Sequence, residues 1–320
     1  MSKVDDMTLF VQVVKANGLA AAGRQLGLSP ASMTARINRL EQRYQTRLLN
    51  RNTRSITLTH AGERFYQGCL RVLDEVAATE ASLSETEALL SGTLRISAPS
   101  DFGLQYVAPA LAAFVAQHPQ VIPHLYLTDG VVKLVEDGLD MAIRYGNLPD
   151  SNLIAKPLAD NRRVLCASPA YLRAYGMPIH PNDLLEHRCL VMERHGELLN
   201  EWYFRHNNQL LSLKVTPAMV SGDGGLIRAW ALAGCGIALK SLVDVQADVN
   251  VGNLQLLFEG QVKGFSYIDS EKTDSEKTDS DSIGLQAIFP SRKFQPRQVR
   301  AFTEFFESWL QSHSPAERSQ

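Results

Sequence analysis

At 320 residues with 45% hydrophobic content, the chain is long enough for two or three packed units and too apolar in general to be disordered. The formal charge of −2 hides an asymmetry: residues 1 to 60 hold nine Lys/Arg against Asp5, Asp6 and Glu41, a net +6, which leaves −8 for the rest of the chain. No run approaches the roughly 18 to 20 apolar residues of a membrane span, "MSKVDDMTLF" lacks the apolar core of a signal peptide, and Cys69, Cys166, Cys189 and Cys235 are too scattered for a zinc site, so the expectation is a cytoplasmic protein with reduced structural thiols and no membrane partner.

Met7, Leu9, Phe10, Val13 and Val14 recur at helical spacing, and Gly18 is expected to end that helix. "LAAAGRQLG" is a short alanine-rich helix stopping at Gly27; Ser29 then serves as N-cap, and Pro30 suits the first turn of the next helix. Two helices joined by about three residues with a glycine make a helix-turn-helix. In the third helix Met33, Ile37, Leu40 and Tyr44 form the inward stripe. Ala31, Ser32, Thr34, Ala35 and Asn38 face outward, short enough to let the backbone approach base edges in a major groove. Arg36, Arg39, Arg43 and Arg47 would by themselves be an ordinary solvated face. The following "LLNRNTRSITLTHAG" reads as a β-hairpin wing with Arg51 and Arg54. Residues 1–58 are therefore expected to be an α-rich winged helix-turn-helix that binds double-stranded DNA, with phosphate neutralisation supplying much of the affinity. The residues assigned to that contact are Ser29, Pro30, Ala31, Ser32, Thr34, Ala35, Arg36, Asn38, Arg39, Arg51 and Arg54.

Thr59 caps a long helix over 59–91, with Phe65, Cys69, Val72, Val76 and Leu83 roughly along one side. About 30 helical residues span some 45 Å, more than one small domain covers, so part of this helix needs a partner. From Gly92 strands and helices alternate: "TLRISAPS" a strand, 103–117 a helix, "VIPHLYLT" a strand, 130–137 a helix, "LDMAIRYG" a strand, and finally "IGLQAIFP" followed by a helix over 295–311. This is an α/β domain over 92–312. Ligands in such sheets sit beyond the carboxyl ends of strands, which singles out "APSDF", "LTDG", "RYGNL" and "SGDGG". No G-x-S-x-G serine, dinucleotide or P-loop glycine pattern or metal-spaced histidine set is present, so no enzyme and no cofactor are expected. The competing reading is a small-molecule-binding or enzymatic α/β module with an incidental basic head.

"AAAGRQLGLSPASMTARINRLE" with "RLLNRNTRSITLTHAG" resembles the N-terminal domain of the LysR-type transcriptional regulators, and the likeness runs in order to about residue 310. "APSDFGLQYVAPAL", "LVEDGLDMAIRYG", "VLCASPAYL" and "AGCGIALKSL" resemble most the branch that includes the D-malate and tartrate regulators. Ala35, Gln45 and Leu49 depart from the common pattern, where a polar residue, a glycine and a phenylalanine are frequent. The resemblance implies a linker-helix dimer or a tetramer, and RNA polymerase as a partner if the protein activates. It also implies a two-lobed domain like the periplasmic binding proteins, with lobe I about 92–162 and 284–312, lobe II about 163–268, and crossing strands near 157–166 and 283–290. A small-molecule effector, expected to be a carboxylate, would meet Ser100, Phe102, Thr128, Arg144, Tyr145, Gly222, Asp223 and Lys240, the lobes closing around it. "DSEKTDSEKTDSDS", residues 269–282, repeats "EKTDS" with six acids, two lysines and nothing apolar; a disordered surface loop is expected there, and a tail over 313–320.

Overall fold

A computed structural model describes residues 2–52, 55–82, 89–146, 153–206, 209–265, 284–290 and 295–313. The repeat at 269–282, Arg54 and the tail beyond 313 lie outside the described residues. The chain divides into two compact units, one built on the residues up to Thr93 and the other on most of the remaining chain.

The first unit comprises α1 (Lys3–Lys15), α2 (Leu19–Leu26), α3 (Pro30–Arg43), the hairpin β1 (Leu49–Asn52) and β2 (Ser55–Leu58), and α4 (His60–Ser82). A capping box between Ser2 and Asp5 opens α1. That helix ends at Ala16, not at Gly18: the chain turns through Asn17 at φ 48°, a conformation asparagine tolerates, and extended Gly18 instead precedes α2. Gly27, at φ 66°, stops α2. A Cβ on Gly23 would lie 2.7 Å from the Leu28 carbonyl oxygen and 3.1 Å from the Met33 side chain, so the tight crossing of α2 and α3 depends on its absence. Leu9, Phe10, Val13, Ala22, Met33, Ile37, Leu40 and Leu49 form the core. Tyr44 is 39% exposed and belongs to the end of α3, its ring against Phe65. The Thr59 hydroxyl accepts the Gly62 N–H at 2.9 Å and caps α4. Phe65 and Cys69 pack into this same core, while Val72 is exposed; Leu83 lies outside the described residues. The first turns of the long helix thus find their partner within the chain.

Among the described residues the second unit contains two main sheets and a third, smaller one. Lobe I is five-stranded in the order β4-β3-β5-β16-β6: β3 (Ser91–Ala98), β4 (Gln120–Leu127), β5 (Met141–Tyr145), β6 (Ile154–Ala159) and β16 (Leu285–Phe289). β3 and β5 are parallel, and β16 runs antiparallel between β5 and β6. Lobe II is built on β12-β8-β13-β7-β14, with β7 (Arg163–Ala167), β8 (Cys189–Arg194), β12 (Pro217–Ser221), β13 (Ile237–Ser241) and β14 (Gln255–Leu257). The short β9 (Glu197–Leu198) pairs with β8, and β10 (Glu201–His206), β11 (Gln209–Lys214) and β15 (Val262–Gly264) form a further small sheet that buries Trp202 and Phe204. β16 lies wholly in the lobe I sheet.

Helices cover these sheets. α5 (Ser100–Phe102) continues through a π-helical stretch, Gly103–Val107, into α6 (Ala108–Gln117). In lobe II, α7 (Pro169–Tyr175), α8 (Gly224–Leu232) and α9 (Leu242–Asn250) follow their strands, and α10 (Arg297–His313) closes lobe I with Phe302 and Phe306 packed near Phe102 and Phe114. The helix expected over 130–137 is absent: residues 131–133 are irregular and 134–138 form a turn, with Leu134 and Leu139 buried and the Leu139 N–H donating to the Leu134 carbonyl. Seven residues between Gly130 and a left-handed Gly138 (φ 68°), starting with two β-branched valines, are too few to offset helix nucleation.

Candidate functional site

The reading head follows from the caps and the stripe. Ser29 accepts the Ser32 N–H at 3.2 Å, and Pro30 occupies the first turn. Burial of Met33, Ile37 and Leu40 fixes the rotation of α3, which leaves Ala31, Ala35, Asn38 and Arg39 exposed and Ser32, Thr34 and Arg36 half-buried. The Thr34 hydroxyl donates to the Pro30 carbonyl at 2.9 Å, which uses its proton and leaves its oxygen lone pairs as acceptors. Arg51 lies on β1.

Two neighbours absent from the expected set position this surface. Glu41 on α3 accepts the Leu48 and Leu49 N–H groups at 2.9 and 3.0 Å, tying the base of the wing to the helix. Arg43 pairs with Asp6 of α1 at 2.7 Å, so this arginine braces the head. Gln45 sits at φ 49°, the left-handed conformation that favours glycine.

In the second unit the ends of β3, β4 and β5 face the start of α8 and the β13–α9 junction across the lobes. The Ser100 hydroxyl reaches Asp129 in a short hydrogen bond and Asp223 at 3.0 Å. Asp223 is the N-cap of α8, accepting the Leu226 N–H at 3.0 Å. The Gly224 N–H donates to Asp129 at 2.9 Å. Lys240, 4% exposed, donates to Asp101 at 2.6 Å and to the Gly224 carbonyl at 2.7 Å, with Asp244 at 3.5 Å. Gln105 donates to Asp101 and to the Asp244 carbonyl, the Tyr106 hydroxyl to the Val243 carbonyl, and the Tyr145 hydroxyl to Asp244 at 2.5 Å. Arg228 pairs with Asp248 at 2.6 Å and lies 3.9 Å from Asp101.

Ser100, Tyr145, Asp223 and Lys240 are thus brought together, but they meet protein groups directly. Thr128 turns to its own loop, its oxygen accepting the Gly130 N–H. Phe102 is fully buried in lobe I beside Tyr106 and Tyr145. Arg144 donates to the Ile143 carbonyl and to Ser97, both at 2.7 Å, and Gly222 is an exposed residue before the cap. Asp101, Asp129, Asp244, Arg228 and Asp248 were missed by sequence reasoning. Asp101 and Asp129 stood inside "APSDF" and "LTDG", beside the residues chosen; the helical Arg228, Asp244 and Asp248 had no such signal.

The charges are in tension. Burial works against the Lys240 ammonium, but Asp244 and Asp101 outweigh it and raise its pKa. Burial pushes the Asp101 carboxyl up to about 6 although Lys240 draws it down, with Asp244 adding repulsion. The directions agree, because two carboxylates share one ammonium and one of them gives way first. Burial pulls Arg144 down to about 10 against the attraction of Asp129, with Arg194 adding repulsion. Cys69, Cys166 and Cys189 are buried, and desolvation pushes each thiol up to about 12, in the unreactive protonated form. Among the described residues no group of His, Cys, Asp and Glu could hold a metal ion, and no helix is long and apolar enough to cross a membrane.

Comparison with known proteins gives this geometry its context. Residues 4–63 match the bacterial regulatory helix-turn-helix protein family, lysR type, and residues 87–311 match the LysR substrate binding domain. The HTH-type transcriptional regulator DmlR of Escherichia coli K12 is 35% identical over 313 residues, covering 98% of this chain and 96% of that protein. The HTH-type transcriptional activator TtdR of the same strain is 30% identical over 307 residues, with coverage of 96% and 93%. The solved structure of CrgA, a LysR-type regulator from Neisseria meningitidis, is 29% identical and superposes with a TM-score of 0.59 over 97% of this chain and 99% of that one. With the basic reading helix, the wing and the two-lobed α/β unit in matching order, the chain belongs to the LysR-type transcriptional regulators, DNA-binding proteins with an effector-binding domain and not enzymes.

Proposed function

We propose that this regulator senses a small organic acid in the cleft between its lobes and transmits that state to the reading head. The observation that supports a carboxylate is the seat of Asp129: a hydroxyl from one lobe and the first N–H of α8 from the other already hold a carboxylate group. A helix N-terminus favours negative charge there, and Arg144 and Lys240 both feel Asp129 electrostatically. The resemblance to the D-malate and tartrate branch agrees in chemical class. On the DNA side, Ser29 to Arg39 would enter the major groove while Arg36, Arg51 and Arg54 neutralise phosphate, with two heads of a dimer or tetramer on paired half-sites.

A thermal-shift screen of hydroxy-dicarboxylates and other small organic acids tests the effector. A hit should stabilise the wild type and lose at least about tenfold in apparent affinity in Ser100→Ala, since one polar contact made to a charged group contributes about 1.5 to 3 kcal/mol. Equal stabilisation of both proteins would place the acid elsewhere.

A further inference from the structure

From the contacts across the cleft we infer that Asp129 is a built-in competitor of the effector, a carboxylate of the chain's own that occupies the place an incoming carboxylate must take. The inference rests on the carboxylate reading above and adds how the site is regulated: binding is an exchange of one carboxylate for another, not the closing of an empty gap.

The donors around Asp129 come from both lobes. Ser100, at the start of α5 in lobe I, and the Gly224 N–H, at the start of α8 in lobe II, both point to its Oδ2. Gly224 is gripped on its other side by Lys240, which takes its carbonyl at 2.7 Å. A Cβ at Gly224 would stand 3.3 Å from the Lys240 nitrogen, a slightly tight approach, and 3.5 Å from the Asp129 carboxylate, an ordinary contact distance, so both groups close directly on this residue.

The arrangement is also contested. Ser100 has one hydroxyl proton and two carboxylates within reach, Asp129 and Asp223, so it satisfies one at a time. Asp223 is the fixed claimant, since its oxygen also caps α8 through Leu226. Asp129 is the removable one. It lies in the irregular segment after β4, next to Gly130, and can swing away without breaking a strand. The Asp101–Lys240 and Tyr145–Asp244 contacts would still join the lobes when it leaves. A site filled by its own side chain most of the time binds its ligand more weakly by the fraction of time it is vacant. Asp129 therefore sets the concentration at which the protein responds, and it restricts the response to ligands bearing a carboxylate able to take over both the hydroxyl and the N–H.

Chemical rescue tests this. In the full-length chain, Asp129→Ala removes the carboxyl group and leaves room for formate. Formate, against chloride at equal ionic strength, should raise the thermal midpoint of Asp129→Ala while leaving wild type unmoved, and adding Ser100→Ala should cancel the gain. Asp129→Asn keeps the side chain's size with a weaker neutral occupant, and formate should protect it at a concentration about tenfold lower than any effect on wild type. Equal responses of wild type and both variants, or none in either variant, would overturn the proposal. Binding of specific over random duplex DNA by the same samples keeps the two questions apart. Retained operator preference without formate rescue defeats only the competitor role, and rescue without operator preference defeats only the regulatory reading.

Discussion

In the reading head Asn38, Arg39 and Arg47 stand exposed on and just after α3, whereas in the cleft Lys240 and Asp101 are buried against each other and Arg228 is turned onto Asp248. Both regions are rich in charge, and they use it in opposite ways. Exposed cations cost little to hold, are screened by salt, and exchange counterions for phosphate. Buried ions have lost their water and depend on each partner, so removing one leaves the other stranded. The head presents its charges outward, and in the cleft the charged groups satisfy one another.

The sharpest way to break that contrast is to strand a buried ion. Lys240→Ala should destabilise the second unit by about 3 to 5 kcal/mol, read as a lower urea midpoint, because Asp101 and Asp244 lose their shared counter-charge. Arg39→Ala should change the midpoint by no more than about 0.5 kcal/mol. Similar losses in the two variants would mean that the burial difference does not matter energetically.

The pH profile comes next in size. Burial raises Asp101 from 3.8 to about 6, so the native state holds the proton more tightly than the unfolded chain. The associated stability is fully present below about pH 4 and is lost as pH rises through 6, a change of about 3 kcal/mol. Urea midpoints of wild type should fall across this range relative to Asp101→Asn, which lacks the titrating group. Parallel profiles would remove Asp101 as the source.

On the DNA side, Arg36→Ala or Arg51→Ala should weaken binding to all duplexes alike and lower the log–log salt slope by about one unit per lost phosphate contact. A loss confined to one sequence would make the residue a base reader. Gln45→Gly is the smallest effect: it relieves a left-handed glutamine at φ 49° and should stabilise the first unit by up to about 1 kcal/mol in thermal melts. No change, or a loss, would mean that the glutamine side chain offsets its backbone strain.

Legibility in the sequence followed locality. The helix-turn-helix could be read because its signals are adjacent in the chain: Gly27 stopping one helix, Ser29 and Pro30 starting the next, and the 3–4 spacing of Met33, Ile37 and Leu40. The failures had competing local causes, as where Asn17 rather than Gly18 turned the chain and where 130–137 was too short and too branched to nucleate a helix. The cleft was legible only as strand ends. Which residue at each end reached across was decided by tertiary register, Asp101 beside Phe102 and Asp129 beside Thr128, and within lobe II no spacing rule relates Arg228 to Asp248. Lys240 could be named as an expected effector contact, but its burial among two carboxylates depends on residues 101 and 244 arriving from different elements.

The central claim is that occupation of the cleft by an acid alters how the heads sit on DNA. The direct measurement is a footprint of the full-length protein on the region upstream of its own gene, with and without the hydroxy-dicarboxylate that gives the largest thermal shift. The footprint should change in extent or in affinity by about 5- to 150-fold for wild type, the usual range for coupled sites, and should stay fixed for Ser100→Ala. A ligand that stabilises the wild type and leaves its footprint untouched would contradict the claim.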